Sequence, residues 1–353
     1  MDLISLLMIA TVLLYLGATI YYANLEDIAQ DNPLNAVRGT SKRMLYGVLV
    51  MQVLFGFFVL QAALAAGADL AAESDAALTS LSLPGAVVSF VFALATAAFS
   101  FGMLHRPALR QRVRGLLGAD ASYNPESSVH LVAVVLLLAL LTFVIGQLVV
   151  SGGLSGLAQN YADQGVSVPD VLFNQVLWVI AGVLGVGLFL RRTPSQAAER
   201  LGLRMPTRQD LGSGVGYGLL FYVAVIAVSM VWALLTSPEL LAEQTAASEQ
   251  IARAFDTLPV ALIMSAAIAL GEEIFFRGAL QPVFGLWLTS IFFALLHTQY
   301  TLTPATIVIF IVSLGLGVLR ARHSTTAAVI AHFVYNFIQL ALVIAAGSLL
   351  GAA

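Results

Sequence analysis

Residues 258–280 read LPVALIMSAAIALGEEIFFRGAL. The stretch is apolar, apart from Ser265, up to Leu270, and it is long enough to cross a bilayer, which takes about 20 residues of helix. Its second half then carries Glu272, Glu273 and Arg277. An ionisable side chain at the centre of a span costs about 2.5–3.5 kcal/mol on insertion scales and marks a functional position by default. The reading of this stretch as a transmembrane helix, rather than a soluble core helix, decides the fold class.

The rest of the chain agrees with that reading. Of 353 residues, 59% are hydrophobic and only 10% are charged, against about 25% charged in an ordinary soluble domain. Mean hydropathy is +0.93. Ten apolar segments follow one another at 3–22, 44–65, 84–104, 129–151, 171–190, 213–235, 258–280, 286–300, 304–320 and 325–350. They are long and continuous, whereas barrel strands would be short and alternating. The expectation is an all-α, polytopic transmembrane bundle. The eighth segment is short for a full span and is expected to be tilted or a half-helix inside the bundle. The first, with Asp2 and no Lys or Arg before it, is read as a retained span and not as a signal peptide.

Arginine and lysine placement sets the orientation. Of the 16 basic residues, 15 fall at segment ends of one parity, and only Arg253 falls on the other side. The rich side is cytoplasmic by the positive-inside rule, which places both termini and the acidic segments 69–75 and 239–249 outside. The chain has no cysteine, so disulfides, thiolate nucleophiles and Cys-ligated zinc are excluded. Nothing in the sequence suggests a nucleic-acid partner. The glycine-rich run GSGVGYG, residues 212–218, has the composition of a phosphate loop but no preceding strand. Close helix packing is the better reading for it, as for Gly182, Gly185, Gly187, Gly315 and Gly317.

Glu273 and Arg277 stand four apart on one helical face with the acid first, the arrangement of a structural ion pair. Glu272 points about 100° away and needs another partner. Two later segments supply candidates: FFALLH (292–297) ends in His297, and AHFVYNF (331–337) carries His332 and Asn336 four apart. Counted along ideal helices, Glu272, His297, His332 and Asn336 lie about 11–17 Å from the cytoplasmic ends of their segments, so one layer can hold all four. His130 is read as a packing residue. A carboxylate and an imidazole can hold and deprotonate a water, and a second imidazole with an amide can stabilise an oxyanion. A Glu–His–His set, Glu272, His297 and His332, could instead hold a divalent metal, although the zinc-protease HExxH pattern is absent.

These segments resemble the CPBP family of intramembrane proteases, which includes the CAAX prenyl proteases and the bacteriocin-processing Abi proteins. Its double-Glu motif with a following Arg is matched by Glu272, Glu273 and Arg277. Its Phe-three-residues-His motif is matched by Phe293 and His297, and its His-three-residues-Asn motif by His332 and Asn336. The motif region runs over 258–340, within a core expected at 129–353; residues 1–128, with three spans, are expected to be an N-terminal extension. The resemblance implies a membrane-embedded endopeptidase that needs no cofactor. Glu272 would be the general base and His297 would orient the water. His332 and Asn336 would bind the oxyanion, with Glu273, Arg277 and Phe293 in support. The partners would be a peptide or protein substrate and the lipid bilayer, and the setting a bacterial inner membrane. The alternative is a non-catalytic scaffold or bacteriocin-immunity protein on the same fold. A proton-coupled transporter ranks below both, because no internal repeat is visible.

Overall fold

The computed structural model describes residues 3–29, 37–67, 82–300 and 303–351; the acidic segment 69–75 lies outside them. Among the described residues the secondary structure is helical, with no strand. The α-helices are α1 (Leu3–Ile28), α2 (Thr40–Gly67), α3 (Leu83–His105), α4 (Pro107–Leu116), α5 (Ser128–Val150), α6 (Gly153–Gln164) and α7 (Val168–Gly185). Then come α8 (Pro194–Leu201), α9 (Arg208–Leu235), α10 (Pro238–Arg253), α11 (Leu258–Glu272), α12 (Gln281–Leu296), α13 (Pro304–Arg322) and α14 (Thr325–Gly351). A π-helix, Glu273–Leu280, joins α11 to α12, and a 3₁₀ turn, Thr298–Tyr300, follows α12.

Nine stretches of helix among the described residues are long and apolar enough to cross a membrane. This is an integral membrane helical bundle. One of the nine, Leu258–Leu296, is 39 residues long, nearly twice the length the hydrocarbon layer requires at 1.5 Å per residue. It resolves into two of the ten apolar segments because the chain reverses inside it. Gly285 has φ 80° and ψ 170°, a backbone region essentially closed to residues with a Cβ. The rings of Phe276 and Phe293 lie 5.0 Å apart, whereas a straight helix would separate residues seventeen apart by about 26 Å. The eighth segment is therefore a short helical limb that folds back on the seventh. Its helix ends at Leu296, not at 300, and the seventh runs on past 280 to the reversal.

By packing, the chain forms two compact units, Met1–Val150 with Val183–Ala197, and Ser151–Gly182 with Ala198–Ala353. In the first unit the two acids at the end of α1 cap other helices. Glu26 accepts from the backbone N–H and hydroxyl of Ser41 at 2.8 and 2.7 Å, at the start of α2. Asp27 accepts from Ser127 Oγ and the Ser128 N–H, both at 2.6 Å, at the start of α5, and pairs with Arg191 at 3.2 Å. Both carboxylates thus meet helix N-termini, where orphan N–H groups and the helix dipole favour negative charge. Deeper in the unit, Gln52, Thr96 and Thr142 hydrogen-bond to one another and tie α2, α3 and α5 together, polar glue of the kind used between helices in lipid. His130 accepts the Asn124 N–H at 2.8 Å and stacks on Tyr123, a structural role as expected.

In the second unit, Phe221, Val312, Leu316, Leu319, Ala331 and Tyr335 form a core that joins α9, α13 and α14. The glycine run behaves as packing glycine on one face only. A Cβ at Gly214 would meet Ile330, and one at Gly218 would come within 2.7 Å of the Ala331 carbonyl oxygen; Gly212 and Gly216 face open space. Gly182, Gly315 and Gly317 also sit in close contacts, but Gly185 has nothing within 4 Å, so the packing expectation does not hold for it. The start of α14 is clamped by the 201–210 segment. Thr325 donates its N–H to the Gly202 carbonyl and its hydroxyl to the Leu201 carbonyl. Buried Asp210, paired with Arg204 at 2.9 Å, accepts from Ser324 Oγ at 2.8 Å. This clamp fixes the register of α14, and with it His332.

Candidate active site

The reversal at Gly285 brings α12 alongside the π-helix, and α14 packs along α11 on the other side. The site is built on the three faces of the 271–280 stretch. Its Gly271–Phe275 face lies along α7, where the ring of Trp178 packs tilted against that of Phe275 at 4.6 Å and Gly182 meets Ile274. Glu272 and Phe276 face α12. Glu273 and Arg277 face α13 and α14. Short π-segments recur at functional sites because the extra residue in the turn re-aims side chains. Two arginines steady this one from outside: Arg200 donates to the Gly278 carbonyl at 3.1 Å and Arg320 to the Arg277 carbonyl at 3.1 Å.

Glu273 and Arg277 are fully buried and in contact at 3.2 Å. The Arg277 Nε–H is not aligned on the carboxylate, so this is an ion-pair contact and not a straight hydrogen bond. Arg277 also donates to Ser313 Oγ at 3.1 Å and lies over the ring of Phe293, 4.8 Å from its centroid. Glu273 Oε1 accepts from His332 Nδ1 at 2.9 Å. A carboxylate can only accept, so the ring proton is on Nδ1, which leaves Nε2 of His332 as the working nitrogen. The structural pair expected from the sequence is therefore a three-membered chain, Arg277–Glu273–His332. His332 is tied to Glu273, the acid assigned to support, and not to Glu272.

Glu272 faces His297. Its Oε2 stands 3.9 Å from His297 Nε2, and the two side chains keep 13% and 19% of their surface. Oε2 has no hydrogen-bond partner. His297 Nδ1 lies 2.7 Å from the Phe293 carbonyl oxygen, which can only accept, so Nδ1 carries the proton and Nε2 presents a lone pair to Glu272 when the ring is neutral. The gap between two acceptors is thus the open point of the site. Phe293, 2% exposed, separates the two acid–imidazole pairs; its ring is 4.5 Å from that of His297 and 6.2 Å from that of His332.

Asn336 lies one turn beyond His332 on α14. Its side chain has no hydrogen bond to any described residue. Among the described residues, no three His, Cys, Asp or Glu side chains are gathered to hold a metal ion. The set Glu272, His297 and His332 is divided, with His332 turned to Glu273. Sequence reasoning missed Ser313, Arg200 and Arg320, which support the π-helix, because no local pattern links them to it. It also missed Tyr300, whose ring lies nearly parallel to that of His297, at 15° and 6.5 Å.

Residues 254–338 match the family model described as type II CAAX prenyl endopeptidase Rce1-like. This stretch belongs to the CAAX protease family. No curated protein and no solved structure matched the chain. Every motif residue, from Glu272 to Asn336, lies inside the matched CAAX protease domain. The protein is thus a polytopic membrane protein carrying a domain of the CAAX-type intramembrane protease kind.

Proposed function

We propose that this protein is an intramembrane endopeptidase in which Glu272 and His297 activate a water against a peptide carbonyl. The observation that carries the reading is the facing pair of acceptors, Glu272 Oε2 and His297 Nε2, 3.9 Å apart with the other imidazole nitrogen held by the Phe293 carbonyl. Two acceptors at that separation repel each other unless a donor bridges them. A water about 2.8 Å from both would donate one O–H to each at an angle of about 90° at its oxygen, leaving its lone pairs free to attack. Glu272 then takes one proton as the C–O bond forms, and passes it to the leaving amine as the C–N bond breaks.

The negative charge that develops on the carbonyl oxygen needs donors on the opposite side. His332, with Nδ1–H on Glu273, presents Nε2–H to that oxygen in its charged form. Asn336, uncommitted in the resting protein, supplies an amide N–H from the next turn of the same helix. Burial of Arg277 and Glu273 fixes this second imidazole. The substrate is a membrane-bound peptide or protein, with a prenylated C-terminal CAAX sequence the first to try, and the setting is a bacterial inner membrane. Residues 129–353 form the protease core on this reading and residues 1–128 the extension.

The test is proteolysis by the purified protein in liposomes with a fluorogenic peptide library that includes a farnesylated CAAX peptide. Loss of cleavage in Glu272→Gln, with cleavage retained under a chelator, is the expected outcome. Cleavage that survives Glu272→Gln overturns the assignment of the base, and loss under the chelator replaces it with a metal-assisted reaction.

A further inference from the structure

A buried amide near this site takes no part in the mechanism. Gln175, on α7, is 6% exposed. Its side chain makes no hydrogen bond to any described residue, and its amide oxygen is sealed from solvent. It is pressed against Gly271, the residue before Glu272. A Cβ at Gly271 would lie 2.4 Å from Gln175 Oε1 and 3.0 Å from the Gln175 carbonyl oxygen. Only glycine lets α7 come this close, and the close approach sets an unpaired primary amide against the residue before Glu272.

Buried side-chain amides are ordinarily satisfied, and an orphan is accounted for by a ligand or a functional role. The glutamine amide has both a donor and an acceptor in one plane. With Oε1 closed off against Gly271, Nε2 is the atom left to meet a peptide, and it donates to a peptide carbonyl. Other buried polar groups next to the site each make at least one side-chain hydrogen bond: Arg277 to Ser313 and His332 to Glu273, and Gln281 through Nε2 to the Gly317 carbonyl, although its Oε1 is unpaired. Gln175 makes no side-chain hydrogen bond to any described residue, and it lies outside the stretch matched by the family model.

We propose that Gln175 Nε2 donates to a backbone carbonyl of the substrate peptide and helps hold the chain in the site. The proposal rests on the peptidase reading of the site, and it makes Gln175 a binding residue with no part in the proton transfers. The test uses the full-length protein in detergent and two apolar replacements of similar size, Gln175→Leu and Gln175→Met. Three quantities are read: the KM and kcat for a cleaved peptide, the Kd of the same peptide for each variant in a Glu272→Gln background, and the melting temperature. The probes are a farnesylated CAAX peptide and its unmodified counterpart.

The expected result is a KM and Kd about tenfold higher, what one lost hydrogen bond of about 1.4 kcal/mol gives, with kcat little changed. The melting temperature should hold or rise, since each variant removes an unsatisfied polar group. Unchanged KM and Kd overturn the proposal. So does weakened binding that follows a fall in melting temperature in both variants, which assigns Gln175 to packing. A wild-type protein that cleaves no peptide, but whose peptide affinity falls on Gln175→Leu, overturns the peptidase reading and keeps the backbone contact. Absence of peptide binding to both the wild-type and Glu272→Gln proteins overturns both.

Discussion

Two adjacent glutamates do different work because 100° of helix rotation sends them to different neighbours. Glu273 is sealed with Arg277 and His332, whereas Glu272 keeps an open edge and an unpaired oxygen. The two are therefore expected to fail differently. Glu272→Gln should leave the melting temperature within a few degrees and reduce cleavage by about 10²–10⁴-fold, the range for loss of a general base. Arg277→Ala should destabilise the fold by about 3–5 kcal/mol, because it strands the buried Glu273 charge; thermal denaturation in detergent reads this directly. If Arg277→Ala melted like wild type, the buried pair would be structurally dispensable and its assignment wrong. The i, i+4 pairing of Glu273 and Arg277 was legible in the sequence, because helical spacing alone puts the two side chains in reach. The bond from Glu273 to His332 was not, because it depends on how α14 is turned.

At the scale of the element, one glycine decides whether the site exists. Gly285 reverses the chain so that His297 returns to the level of Glu272. The two residues are thirteen and twelve positions from the reversal, about 18–20 Å along each limb. Gly285→Ala would force a Cβ into a backbone conformation that costs about 1–3 kcal/mol or more. The expected outcome is loss of cleavage out of proportion to the loss of stability, as α12 shifts and His297 leaves Glu272. A cleavage rate close to wild type would show that the reversal tolerates a side chain. Gly218 tests the opposite limb. A methyl there meets the Ala331 carbonyl oxygen at 2.7 Å, next to His332, and backbone cannot yield as a side-chain tip can. Gly218→Ala should cost about 1–3 kcal/mol by overpacking, measured as a lower melting temperature. The glycine run announced close packing by composition, but which glycines face α14 followed only from the helix rotation seen in three dimensions.

For the whole molecule, the bundle of apolar helices and the arginine bias make a prediction about sidedness. The absence of cysteine makes it easy to test. A single cysteine at Arg112, on α4, should be shielded in intact cells from a membrane-impermeant maleimide, and one at Glu243, on α10, should be labelled. The reverse pattern would invert the orientation drawn from the basic residues. The helical class was legible from hydropathy, because lipid permits only segments that satisfy their own backbone. So was the number of apolar segments, although two of them share one 39-residue helical stretch, since apolar length is counted along the chain whatever its path. The two packed units were not legible, since hydropathy is blind to which helix touches which.

The sequence by itself determined that this is a membrane-spanning helical protein. It also determined that the glutamates and histidines deep within apolar segments fall on three late segments, and that their motifs are those of a CAAX-type protease domain. Those are properties of composition and of spacing within one helix, where 3.6 residues per turn fixes the neighbours. Tertiary structure alone decided that the acids separate into an open Glu272–His297 pair and a closed Arg277–Glu273–His332 chain on either side of Phe293. It alone placed an unpaired Gln175 against Gly271. The reason is that contacts between helices depend on rotation and register, and these are set by small-residue approaches and capping bonds from parts of the chain far away in sequence.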